Sequence, residues 1–444
     1  MQRFRAASII FAALLTVTAG TVLPIGAANG RGGGSERPAA SDVGVTADEI
    51  RIGVIADVEN PLSPGLFKGA VDAVEGFAKY VNATGGLAGR EMVVDFLDSH
   101  LTADDARNAI IRACQEDFAL IGTSALFLNN VDDMVACPDS TGKATGLPDI
   151  PGVATELVQA CSPVSYPINP PTIDCDTKDD SPQTYRGNVG ATKYYQQRFG
   201  KDLHGVTVNT NDLQSAHNAI EIGYALAEEA GVGIDAEFNV SARSPQSAYT
   251  PIVQAITDNE ATLVLDQLNF ASNISLRKEA KLQGVDSVEV WSCAVSCYDQ
   301  GFLEQGGADV DDHFVPLTFL PFDEGSSNKM LAAFVKNTGE DKVTGLGAAA
   351  WAGGVLLRDT LDDIVENGGP NAVTREALLE GLANAHVFDA HGMWGTTDIG
   401  AKEPSPCGVI TQVQDGEFVR IRPKKPGTLR CEPENLLTVK LDLR

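Results

Sequence analysis

Ser124, at the end of the run Ala119-Leu120-Ile121-Gly122-Thr123, carries the hydroxyl most easily imagined as a nucleophile. A nucleophilic serine needs a base within hydrogen-bond reach and a third group that orients the base. Neither lies near it in the chain, and the G-x-S-x-G turn is absent. A short hydroxyl at a strand end is better suited to hold a ligand. The six histidines are scattered, and His386 and His391 are five residues apart, so no H-E-x-x-H zinc helix can form. Cys293 and Cys297 have near-ligand spacing, but no second close pair and no neighbouring histidine completes a tetrahedron. Asp174, Asp176, Asp179 and Asp180 could offer oxygen ligands to calcium, yet they lack the ordered spacing and turn glycine of an EF-hand and read as a solvated acidic loop. Gly345-Leu346-Gly347-Ala348-Ala349-Ala350 fits a loose G-x-G-x-x-A, but polar residues from Glu340 to Thr344 stand where a dinucleotide site needs a buried strand. Gly142-Lys143 lacks the remaining parts of a P-loop. No catalytic constellation, cofactor or metal site is therefore expected.

The charge balance points the same way. Sixty acidic against 33 basic side chains leave a formal charge of -27, a field that repels phosphate backbones and anionic headgroups and excludes nucleic acid as a partner. Arg3 and Arg5, an apolar run from Ala6 to Leu23, and the small cluster Gly26-Ala27-Ala28 have the order of a secretory signal peptide, expected at residues 1–28. The alternative is an uncleaved anchor. The first cysteine is Cys114, too late for a lipobox, so the expected location is outside the cytoplasm, in the periplasm, cell envelope or medium, without a lipid anchor. Eight cysteines in an exported chain suggest disulfides. Proximity in sequence pairs Cys114 with Cys137, Cys161 with Cys175, Cys293 with Cys297 and Cys407 with Cys431, out of about 105 possible connectivities.

Residues 29–44, rich in glycine, serine and proline, read as a flexible linker, with the folded body starting near Val43. From there short β-branched runs alternate with helix-period segments, the pattern of βαβ units and parallel sheets. Ile50 to Ala56 reads as a buried strand, and Leu66, Phe67, Ala70, Val74, Phe77, Ala78 and Val81 recur at helical spacing. The helix stops at Thr84-Gly85-Gly86, Glu91 to Asp98 forms the next strand, Thr102 offers an N-cap, and Phe118 to Ile121 makes a third strand. A second series follows residues 163–182, with strands at 205–209, 236–240, 263–265, 288–291 and 313–317. Asp415-Gly416 between two β-runs signals a hairpin. Two such series imply two lobes, and open α/β sheets bind ligands beyond the carboxyl ends of their strands.

The stretch from Asn60-Pro61-Leu62 through Asn82-Ala83-Thr84-Gly85-Gly86-Leu87-Ala88-Gly89-Arg90 to Asp98 resembles the opening of the branched-chain amino-acid binding proteins, the type I periplasmic solute-binding proteins of ABC importers. The likeness continues at 119–124, 150–155, the helix from Gly347 and the segment Phe388-Asp389-Ala390-His391-Gly392. It implies an α/β fold of two doubly wound, Rossmann-like lobes joined by a three-crossover hinge, with lobe one at 45–165 and 313–385 and lobe two at 166–312 and 386–444. It also implies a monomeric, non-enzymatic binding component whose partners are a small-molecule ligand and the permease subunits of an ABC importer. In that family the ligand carboxylate is held after the third and fourth strands, which places the contacts on Thr123 or Ser124 and on Ala154 and Thr155. In lobe two the matching positions fall on Leu213 and Gln214, on Asn269, and on the Cys293 to Cys297 loop that Tyr298 follows. The family's acid for the ligand ammonium falls near Ala294, which carries no charge. A buried ammonium needs an anion, and Asp57, Asp212, Asp266 or Asp299 could supply one away from the motif position. Leu213, Leu268 and Phe270 leave a second reading open, a cleft for a more apolar ligand or a partner protein.

Overall fold

The computed structural model describes residues 37–443 apart from 61–63, 201 and 211–213, and the side chains of 214–217 are also outside this description. The expected signal peptide at 1–28 and the first part of the expected linker thus lie outside the described residues.

The first sheet is wholly parallel. Strands β1 (Glu49–Ala56), β2 (Glu91–Asp98), β3 (Ala119–Ile121) and β4 (Asp149–Ile150) stand in the order β2-β1-β3-β4. Alternation along β1 sends Ile50, Ile52 and Val54 into one apolar cluster and Ile55 into another on the opposite face. The Lys68–Ala83 helix covers the first face with Ala70, Val74, Phe77 and Val81, and the Ala103–Glu116 helix covers the second with Ala106, Ala109, Ile110 and Ala113. Thr102 caps the latter, its hydroxyl accepting from the Asp105 N–H at 3.1 Å. Gly86, at φ +79°, ends the former where a Cβ would stand 2.0 Å from the Arg90 carbonyl oxygen. The Gly345–Gly368 helix crosses the Lys68–Ala83 helix closely, with Trp351 edge-on to Phe77 at 5.2 Å.

The second half of the chain opens with β5 (Gln183–Asn188), then β6 (His204–Thr210), β7 (Gly233–Val240), β8 (Leu263–Gln267), β9 (Val290–Cys293) and β10 (His313–Leu317). It closes with β11 (Cys407–Gln414), β12 (Glu417–Arg422), β13 (Arg430–Cys431) and β14 (Leu436–Leu441). The larger sheet runs β12-β11-β10-β9-β8-β6-β7, parallel from β7 to β10 and antiparallel at β11 and β12, with β13 on β11. Asp415 and Gly416 both take positive φ in the β11–β12 turn. Strands β5 and β14 pair separately, antiparallel, beside the Gln214–Glu229 helix.

Two boundaries differ from expectation. His313 to Leu317, expected to open the return to lobe one, hydrogen-bonds in the larger sheet between β9 and β11, so the crossover follows this strand. The expected linker is also pinned at its end. Arg90 donates to the Ala39 carbonyl, Ser41 to the Val373 carbonyl, and Asp42 accepts from the backbone N–H groups of Val43, Ser140 and Arg375. All four local disulfides are present, Cys114–Cys137, Cys161–Cys175, Cys293–Cys297 and Cys407–Cys431. Among the described residues no helix is long and apolar enough to cross a membrane.

Candidate functional site

Strand order reverses between β1 and β3 in the first sheet and between β6 and β8 in the second, so the free loops at their carboxyl ends are where a ligand would be met. Asp57, directly after β1, is not free to meet one. It is buried, and its carboxylate accepts from the Ser99 hydroxyl at 2.6 Å and from the N–H groups of Leu101 and Leu126, both at 2.8 Å, tying three loops together.

The hydroxyls expected to hold a ligand also make hydrogen bonds within the lobe. Thr123 is fully buried and donates to Asp149 at 2.7 Å, while Asp149 also takes Gln159 and Ser165 at 3.0 Å each. Burial pushes the Asp149 carboxyl up, and those three hydrogen bonds oppose the shift. Ser124 is equally buried and donates to the Gly122 carbonyl at 2.9 Å. Both hydroxyls thus donate within the lobe, Thr123 to a side chain and Ser124 to a backbone carbonyl.

Ala154 and Thr155 are half-buried and border a cavity of about 470 Å³. Its other walls come from Leu157 and Val158, from Pro171 to Ile173, from Tyr185 on β5, and from Asn218, Ala219 and Ile222 on the Gln214–Glu229 helix. Glu156 lies on the same wall, half-buried, with no side-chain hydrogen bond or ion pair among the described residues. Burial pushes its carboxyl up. It directly follows the Ala154-Thr155 pair in the chain, and no sequence motif marks it.

In the second sheet Leu213 and Asp212 lie outside the described residues, and Gln214 opens a helix whose first side chains are also outside them. Asn269 caps the Phe270–Leu282 helix, accepting from the Ser272 N–H at 2.8 Å. Tyr298 is largely buried, though it borders a cavity shared with Asp299, Leu303 and Phe418. It is 4 % exposed, packs against Phe319, Phe322 and Phe418, and its hydroxyl accepts from the Phe322 N–H at 3.0 Å. Asp299 caps the following helix through the Gly301 N–H. Asp266 is buried 3.7 Å from His313, whose imidazole burial pushes down toward the neutral form. Ligand atoms of Asp266, Cys293 and His313 lie within 4.8 Å of one another, but the disulfide to Cys297 occupies the Cys293 sulfur. The G-x-G-x-x-A run is a helix start, with Thr344 accepting from the Gly347 N–H at 3.0 Å.

Besides Thr155, Glu156, Asn269 and Asp299, the strand ends leave a set of apolar side chains half-buried. Val58, Leu126 and Val153 after β1, β3 and β4, Phe270 and Val295 after β8 and β9, and Leu346 on the long helix all pack against one cluster that includes Trp351 and Phe319. This cluster draws on both sheets, through Ile52 and Val54 on one side and Cys293 and Cys297 on the other.

A sequence profile for a family described as periplasmic binding protein matches residues 49–417. No curated protein matches the chain in sequence. Solved structures that share the fold include a fatty acid ABC transporter substrate-binding protein from Thermomonospora curvata, with TM-score 0.65, 15% identity and coverage of 87% of this chain and 94% of that one. A leucine-binding protein from Thermotoga maritima has TM-score 0.65 and 14% identity over 87% and 99% of the two chains. A branched-chain amino acid transporter substrate-binding protein from Streptococcus pneumoniae, in complex with isoleucine, has TM-score 0.62 and 13% identity over 84% and 100%.

Proposed function

Since the chain belongs to the periplasmic binding protein family, which matches it over residues 49–417, we propose that it is the extracytoplasmic solute-binding component of an ABC importer whose cleft takes a small solute with an apolar body. One observation carries the apolar part of this reading. Asp57, Thr123 and Ser124 are buried and Asn269 and Asp299 each cap a helix, whereas Val58, Leu126, Val153, Phe270 and Val295 stand half-exposed at the strand ends with apolar surface to cover. Covering such surface stabilises a complex by about 25 cal/mol per Å². The relatives that bind fatty acid and isoleucine support a solute with a hydrocarbon part.

The protein closes on its ligand by hinge motion and presents the closed form to permease subunits, with no chemistry performed on the solute. Native mass spectrometry of protein purified without refolding is expected to find a retained small molecule with a hydrocarbon body. Adding that molecule to ligand-free protein raises the unfolding temperature, since a ligand at a hundred times its Kd contributes about 2.7 kcal/mol. A retained solute that is wholly polar would overturn the apolar reading, and a broad metabolite panel without any thermal response would overturn the binding reading as well.

A further inference from the structure

Glu156 stands apart from the other acids near the strand ends. Asp57 and Asp149 each accept three hydrogen bonds, and Asp299 caps a helix. Glu156 is half-buried on the wall of the 470 Å³ cavity, and its side chain has neither a hydrogen bond nor an ion pair to any of the described residues. A carboxylate partly withdrawn from water without a partner is costly, and the cost is relieved by a proton or by a cation. The rest of the lining favours the cation. Among the described residues that border the cavity there is no lysine, arginine or histidine, so there an anionic ligand would meet a like charge and no opposite one. Leu126, Leu157, Val158, Ile173 and Ile222 supply apolar wall. The size lies within the range of about 300–1,000 Å³ usual for small-ligand pockets, and the formal charge of -27 steers cations toward the surface.

We propose that this cavity binds an organic cation, its ammonium or guanidinium group against the Glu156 carboxylate and its hydrocarbon body along Leu126, Val158, Ile173 and Ile222. The inference rests on the solute-binding reading, with Leu126 bordering both this cavity and the apolar strand-end surface, and specifies its ligand class. It also places the anion for such a group on the first lobe's β4 exit loop, since the second lobe carries Ala294 in the expected position.

Isothermal titration of the full chain with hexylammonium, hexanoate and hexanol, at one ionic strength, separates charge from hydrocarbon. Hexylammonium is expected to bind most tightly and hexanoate most weakly. In Glu156→Gln the hexylammonium affinity falls roughly tenfold or more while that of hexanol stays within about twofold, as expected when a partly desolvated charge pair loses one member. Glu156→Asp recovers part of the loss. Circular dichroism and the ligand-free unfolding temperature report whether each variant is folded, and the order of the three probes on the unaltered protein decides the question without any variant. Hexanoate or hexanol binding as tightly as hexylammonium, or an amine preference retained in Glu156→Gln, would overturn the cation assignment. A retained natural ligand without a cationic group would do the same while leaving the solute-binding reading intact. No response to any probe and no retained ligand would overturn both.

Discussion

Acidic residues in this chain differ by what surrounds each carboxylate, and Asp117 shows the energetic consequence. Its side chain is buried at the end of the Ala103–Glu116 helix with neither oxygen hydrogen-bonded, and Arg51 reaches it only at 4.0 Å. Desolvation raises its pKa from 3.8 to about 7, assisted by Asp95 and Glu116 and opposed by Arg51 and Arg112. The unfolded chain releases this proton near its ordinary value, while the folded chain holds it until about pH 7. Between those values the folded state binds more protons than the unfolded one, so stability falls as pH rises from about 4 to 7 and levels off above, by a few kcal/mol at most. Asp117→Asn is expected to remove this slope and to raise the denaturation midpoint at pH 8 but not at pH 4, as read from urea unfolding across that range. An unchanged slope would mean that another group titrates. The hydroxyls of Thr123 and Ser124 were legible in sequence as strand-end polar groups. What the sequence could not give was their direction, because the residue that receives Thr123 is Asp149, on a different strand. Glu156 is illegible for the converse reason, since only the folded chain shows that none of the described residues pairs with it.

The elements were read with more success, because their signals are local. The Thr102 cap, the glycine stop after the Lys68–Ala83 helix, the Asp415-Gly416 turn and the four short-range disulfides each depend on residues close in sequence. The β5–β14 pair was not read, since its partners are Gln183 to Asn188 and Leu436 to Leu441, far apart in the chain. Helix crossing is equally non-local. At Gly354 a Cβ would stand 2.6 Å from two ring atoms of Phe77, itself fully buried against Trp351. Alanine gains about 0.8–1.0 kcal/mol of helix propensity over glycine, whereas forcing a methyl into a filled core costs typically about 1–3 kcal/mol. A ring enclosed on its other faces cannot yield cheaply, so overpacking wins. Gly354→Ala is expected to lower the unfolding free energy by about 1–2 kcal/mol. An increase would show that the two helices separate freely.

At the scale of the whole molecule, the two sheets meet where the β9 exit loop docks on the start of the long helix. The disulfide Cys293–Cys297 closes that loop, and Val295 within it lies so near Gly345 that a Cβ there would stand 2.6 Å from the Val295 side chain and 3.3 Å from its carbonyl oxygen. The Gly345–Gly368 helix packs on the first sheet's Lys68–Ala83 helix, while Val295 follows a strand of the second sheet, so this contact reports how closely the lobes approach. Val295 is short and bound to a cross-linked loop, and a methyl at Gly345 would have to be met by moving the loop as a unit. Gly345→Ala is therefore expected to shift the population toward an open form, and apparent affinity falls in proportion to the fraction that remains competent to close. Small-angle X-ray scattering of the ligand-saturated protein would show a larger radius of gyration than that of the unaltered chain, and titration with the retained solute a weaker apparent Kd. Val295→Ala removes the atoms that clash, so the double variant should regain both the compact form and the affinity. Weakening by Gly345→Ala that Val295→Ala fails to relieve would place the effect in the helix itself, and closure would then be governed by other contacts between the lobes.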